Sequence, residues 1–164
     1  MRNIVERRIM WGDLDSAGIV FYPRYYEWID ASAHLYFDAL NLNLEKLIKE
    51  RGIAFGLMET GCRYRAPGRY LDKIKIITEL QSLTKRTLVL RHNIVRCSDE
   101  TLLVEGYEKM ICLDFSDPDR LRAVTIPDSI YAILKQAKGN SLKGIKGLSS
   151  TRVSGPPLRI RPCQ

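Results

Sequence analysis

Histidine is scarce in this 164-residue chain, which holds only His34 and His92. A hydratase or hydrolase built on histidine has few places to put it. Cysteine is present but scattered. Cys62, Cys97, Cys112 and Cys163 form no C-x-x-C pair and have no histidine at zinc spacing, so reduced thiols are expected and no metal site. No apolar run approaches the ~20 residues of a membrane span. The first eight residues, Met1-Arg-Asn-Ile-Val-Glu-Arg-Arg8, lack the apolar stretch of a secretory signal, so the expected location is cytoplasmic. Acidic residues are missing altogether from residues 135–164, which carry Lys135, Lys138, Lys143, Lys146, Arg152, Arg159 and Arg161. The formal charge of +7 therefore resides in that stretch, because residues 1–134 hold 19 basic and 19 acidic side chains. A neutral body argues against a nucleic-acid binder. The basic stretch also lacks the aromatic residues that stack on bases and any amphipathic helical pattern for a membrane.

What is present is a change of period. Residues 3–12 read as a short strand, and Asp13-Leu-Asp-Ser-Ala-Gly18 as a loop. The spacing predicts a long helix over about residues 23–42, with Pro23 in the first turn. Tyr22, Tyr26, Ile29, Ala33, Phe37 and Leu40 align on one face, widened by Trp28, Leu35 and Tyr36. A second helix over about 44–51 closes at Gly52. Alternation then takes over: 53–65, a break at 65–70, then strands centred on Ile74–Leu80 and Leu88–Ile94, and a long strand over 101–115. A short strand over 121–126 and a helix over 127–137 follow. This order implies an α+β domain, an antiparallel sheet wrapped on one long helix, over residues 1–137. Gly, Ser and Pro dominate residues 138–164, read as a basic, flexible tail.

The chemistry concentrates in residues 11–30. Asp13 and Asp15 lie in a tight loop just before the long helix. A helix start offers unpaired N–H groups and a positive dipole end to a carbonyl oxygen gaining charge. A carboxylate beside it can attack an activated carbonyl, or deprotonate the water that does. By residue type alone, an Asp in such a loop is equally a turn former or cap.

The stretch Gly12-Asp-x-Asp-x-Ala-Gly-Ile-Val-x-Tyr-Pro-x-Tyr-x-x-Trp-x-Asp30 resembles the hot-dog-fold thioesterases, above all the 4-hydroxybenzoyl-CoA thioesterase branch. Glu50-Arg-Gly-Ile53, Val89-Leu-Arg-His92 and Arg120-Leu-Arg-Ala123 continue the resemblance over about residues 5–130. It implies the hot-dog fold, acyl-CoA hydrolysis, and a homodimer or homotetramer with each active site at a subunit interface. It further implies Asp15 as nucleophile or general base, and the backbone N–H of Tyr22 as oxyanion donor. Asp13 would shape the loop. Asp30 would lie near the acyl group, although a salt-bridged helix position reads equally well. Lys85, Arg86, Arg120 and Arg122 would hold the phosphates of coenzyme A, which is part of the substrate, so no separate cofactor is expected. Thr84 departs from the pattern, since the branch that the chain most resembles has a further Arg there, and residues 54–60 also differ, so the acyl group is not fixed. Two other readings remain: a hot-dog hydratase, disfavoured by a catalytic loop without histidine, and a non-catalytic acyl-CoA binder.

Overall fold

The computed structural model describes residues 1–143. Six strands form one antiparallel sheet: β1 (Arg2–Arg8), β2 (Ile53–Tyr64), β3 (Lys73–Leu83), β4 (Thr87–Arg96), β5 (Leu102–Asp114) and the two-residue β6 (Arg122–Ala123). Their order is β1-β3-β4-β5-β2, with β6 paired to β5. Helix α1 (Pro23–Asp38) lies on the inner face, α2 (Leu44–Arg51) leads into β2, and α3 (Asp128–Lys143) closes the described chain. Among the described residues no helix is long and apolar enough to cross a membrane.

Period-two alternation produces the inner face. Ile74, Ile76, Thr78 and Leu80 of β3 are buried, as are Leu88, Leu90, His92 and Ile94 of β4. The core divides into two clusters. Tyr36, Phe37, Leu88, Leu90 and Met110 belong to one, and Ile9, Trp28, Ile29, Ile76 and Ile94 to the other. Between them a polar line crosses the sheet. Thr78 Oγ1 hydrogen-bonds His92 Nδ1 at 3.0 Å, and His92 Nε2 stands 3.4 Å from Glu108 Oε2, all three side chains being buried.

Helix α1 ends at Asp38, four residues before the expected end, because the chain turns there: Leu40 N–H bonds the Phe37 carbonyl and Asn41 takes a positive φ of 57°. Its buried stripe is Tyr25, Trp28, Ile29, Ser32, Ala33, Tyr36 and Phe37. The expected stripe ran one position off at its ends. Tyr22 and Leu35 are exposed instead, and Tyr26 and Leu40 are only half-buried. Residues 11–13 form a single 3-10 turn rather than the end of the first strand. Helix α3 runs six residues past the expected end at residue 137, so 138–143, read as the start of the tail, are helical. Residues 144–164, and with them most of the tail and Cys163, lie outside the described residues. Cys62, Cys97 and Cys112 are unpaired thiols.

Candidate active site

The loop before α1 folds on itself through its own backbone. Asp15 N–H donates to the Ile19 carbonyl at 2.8 Å and Gly18 N–H to the Asp15 carbonyl at 3.0 Å, while Leu14 and Val20 form an isolated bridge. Gly18 sits at φ +71°, a conformation that side-chain-bearing residues adopt at a cost. The Asp15 carboxylate is tethered at one oxygen: Oδ1 accepts from Ala17 N–H at 2.8 Å and Ile19 N–H at 3.4 Å. Its Oδ2 makes no hydrogen bond among the described residues.

The start of α1 is left open in the same place. No acidic residue occupies its first turn and Tyr22 supplies no side-chain cap. Pro23 has no N–H, and Arg24 and Tyr25 donate to the carbonyls of Phe21 (2.9 Å) and Tyr22 (3.1 Å). The Tyr22 N–H therefore remains the unpaired donor at this helix end among the described residues.

Asp15 and Tyr22 share one cleft of about 520 Å³, whose other walls are Ile19, Val20, Tyr25 and residues 64–68. In the sequence these residues are only the end of the extended segment 53–65 and the start of the break at 65–70. Their role comes from packing: Val20 N–H bonds the Gly68 carbonyl at 3.0 Å, and Gly68 N–H donates to Tyr25 Oη at 3.3 Å. A Cβ at Gly68 would fall 2.7 Å from Ile9 Cδ1 and 3.0 Å from both Tyr25 Oη and Val20 Cγ2. A side chain here would have to displace those three groups for the turn to close onto the loop. Burial raises the Tyr25 phenol above its ordinary pKa, and burial is also the largest cause that raises Tyr64. Both therefore stay protonated at neutral pH and line the cleft as phenols.

The remaining expected residues lie elsewhere. Asp30 is exposed on α1, 3.8 Å from His34 one turn on, and does not line the cleft of its own chain. Lys85 and Arg86 sit in the β3–β4 turn, held by Thr84, whose Oγ1 accepts from the N–H groups of Arg86 (3.2 Å) and Thr87 (2.9 Å). The turn is bonded to the chain's later part: Ile126 N–H donates to the Lys85 carbonyl and Cys112 N–H to the Arg86 carbonyl, each at 2.8 Å. Arg122 pairs with Asp114 in register, and Arg120 N–H closes a turn on Asp117 at 3.0 Å. Lys85, Arg86, Arg120 and Arg122 thus gather at one end of the sheet. Asp15 is at the other. The ten residues of β4 separate the two ends by about 33 Å, so one chain does not bring them together.

A larger hollow of about 880 Å³ lies on the outer face of the sheet, lined by Arg63, Arg91, Glu105, Tyr107 and Lys109 among others. Within it Arg91 lies 3.9 Å from Glu105, which also pairs with Arg65 at 2.6 Å, and Tyr107 Oη donates to Glu59 at 2.6 Å. It contains none of the expected catalytic residues. Among the described residues no cluster of His, Cys, Asp and Glu could hold a metal ion.

Comparison with known proteins finds relatives over most of the chain. A family model described as the thioesterase-like superfamily matches residues 9–134. The chain is 29% identical over 127 residues to a 4-hydroxybenzoyl-CoA thioesterase of Pseudomonas sp. strain CBS-3, covering 75% of this chain and 90% of that protein. It is 29% identical over 129 residues to the acyl-CoA thioester hydrolase YbgC of Escherichia coli O6:H1, covering 79% and 92% respectively. Among solved structures, a 4-hydroxybenzoyl CoA thioesterase variant complexed with 4-hydroxybenzoyl CoA superposes with a TM-score of 0.75 at 27% identity, over 81% of this chain and 98% of that one. A gentisyl-coenzyme A thioesterase superposes with a TM-score of 0.69 at 29% identity, over 80% and 99%. The hot-dog fold expected from the sequence is thereby established. Because the family match spans the Asp15 loop, the central helix and strands β2 to β6 alike, this chain belongs to the thioesterase-like superfamily.

Proposed function

We propose that the protein hydrolyses acyl-CoA thioesters to the free acid and coenzyme A. One observation carries the reading: Asp15, with one uncommitted carboxylate oxygen, and Tyr22, with an unpaired N–H at the helix start, line the same cleft. The Tyr22 N–H, reinforced by the positive end of α1, stabilises the negative charge that the thioester oxygen gains as its carbonyl is attacked. Asp15 acts by one of two routes. As nucleophile it forms a mixed anhydride and expels the CoA thiolate, and water then releases the acid and restores the carboxylate. As general base it takes a proton from the attacking water and returns it to the leaving thiolate. Either route needs only substrate and water.

Lys85, Arg86, Arg120 and Arg122 are assigned to the coenzyme A phosphates, which suit the charge of all four and the guanidinium fork of the three arginines. Reaching the cleft from the far end of the sheet requires a second subunit. Strand β2 is an edge strand of 12 residues with Leu57 and Met58 more than half exposed, and such an edge calls for a partner. Antiparallel pairing of two β2 edges about a two-fold axis lays the Ile53 end of one against the Tyr64 end of the other. Ile53 pairs with Asp114, the register neighbour of Arg122, while Tyr64 lines the Asp15 cleft. The basic end of one subunit then meets the catalytic end of its partner. Asp30, exposed on α1, is assigned to the acyl group in that same interface.

The names of two relatives, a 4-hydroxybenzoyl-CoA and a gentisyl-coenzyme A thioesterase, make aromatic acyl groups the first to test. Free-thiol release from benzoyl-, hydroxybenzoyl-, short-chain and long-chain acyl-CoA is expected to show turnover, strongest with an aromatic acyl group. No release from any thioester would instead favour the acyl-CoA binder.

A further inference from the structure

Strand β1 carries an arginine where its pattern calls for an apolar side chain. Asn3, Val5 and Arg7 point to the inner face in alternation, and the next inward residue, Ile9, is fully buried. A cation in such a position costs free energy unless it is compensated. Arg7 is compensated twice. Its guanidinium carbon lies 4.0 Å from the centre of the Trp28 ring on α1, and its terminal nitrogen is 3.4 Å from Asp13 Oδ2. Its Nε is buried without a hydrogen bond and the side chain is 34% exposed, so the ring face and the carboxylate share the charge with solvent.

Asp13 in turn touches both ends of the catalytic loop. Its Oδ2 accepts from Met10 N–H at 2.8 Å, where the loop leaves β1. Its backbone carbonyl accepts from Phe21 N–H at 2.9 Å, the residue before Tyr22. Asp15 is two residues beyond Asp13. One residue thus lies in the path that fixes both the carboxylate and the oxyanion donor, and Arg7 anchors that residue to the strand and to the helix.

We infer that Arg7, clamped between Trp28 and Asp13, is a positioning residue that sets the distance between the Asp15 carboxylate and the Tyr22 N–H. The inference rests on the proposed roles of those two groups. Misplacing reacting groups by about 1 Å can lower a rate on the order of a hundredfold without a change in substrate binding. The clamp should therefore appear in kcat and not in KM.

The test is steady-state hydrolysis of the preferred thioester by Arg7→Met, Asp13→Asn and the double variant, with circular dichroism to establish folding. Each single change is expected to lower kcat by about tenfold or more with KM within about twofold. The double variant should be no worse than the weaker single one, because both act through one contact. Arg7→Lys, which keeps the charge but loses the planar contact with Trp28, should fall between parent and Arg7→Met, and it decides the matter with Asp13→Asn if Arg7→Met does not fold. Loss of thermal stability with kcat per folded enzyme unchanged would overturn the inference, as would losses that multiply in the double variant. An Asp15→Ala control separates the two levels. If that variant still turns over, the assigned chemistry is wrong; if it is dead while the Arg7 and Asp13 variants match the parent, only the clamp is.

Discussion

At the scale of single residues, the cleft depends on how tightly backbone groups approach one another. Oδ1 of Asp15 is fixed by two N–H groups of its own loop, so Oδ2 is left for chemistry at little cost in side-chain freedom. Gly68 lets the 64–68 turn close over that loop. Gly68→Ala would drive a methyl group against the side-chain ends of Ile9, Tyr25 and Val20, which must repack in a buried site to admit it. It is expected to destabilise the fold by about 1–3 kcal/mol and to reduce turnover, checked by urea denaturation and thiol release. Asp15, Tyr22 and Gly18 were legible in the sequence because one contiguous motif holds them. Tyr64 and Gly68 were not, because nothing local distinguishes a cleft wall from the end of an extended segment. Their role follows from the closure of residues 64–68 onto the loop more than 40 positions earlier.

At the scale of elements, the alternation in β3, β4 and β5 was readable because one face of each strand is buried against α1. The helix boundaries were less so. α1 stops at Asp38 through a turn, not a glycine or proline, and α3 persists through Gly139 and Asn140 to Lys143, where composition suggested a tail. Leu35 reads as a core residue by its type, yet it lies off the buried stripe of α1 and is exposed. Strand β2 carries the prediction at this scale. Replacing Leu57 with Lys and Met58 with Glu puts charges on the edge proposed to pair with its copy. The double variant should elute as a folded monomer by light scattering, lose most of its activity, and keep its circular dichroism spectrum. A dimer that survives the substitutions would place the interface elsewhere.

At the scale of the whole molecule, the two halves of the proposed site lie at opposite ends of one sheet, and in the proposed assembly a second subunit joins them. This has a direct consequence for mixed assemblies. Asp15→Ala removes the carboxylate, and Lys85→Ala with Arg86→Ala removes part of the phosphate grip. Unfolded together and refolded, the two variants form hybrid dimers in which one site has both halves intact. About a quarter of the sites should then work normally, measured at acyl-CoA concentrations low enough that the weakened grip is limiting. Activity no higher than the sum of the two separate preparations would mean that each chain builds its site alone.

Everything above turns on Asp15 as the group that does the chemistry on a thioester. The direct measurement is thiol release from an aromatic acyl-CoA by the parent and by Asp15→Ala, at matched concentrations of folded protein. The account predicts steady turnover by the parent and a loss of about a thousandfold or more in the variant, the order of magnitude that removing an essential catalytic group costs, with the melting transition little changed. Parent-like turnover by a well-folded Asp15→Ala protein would contradict it.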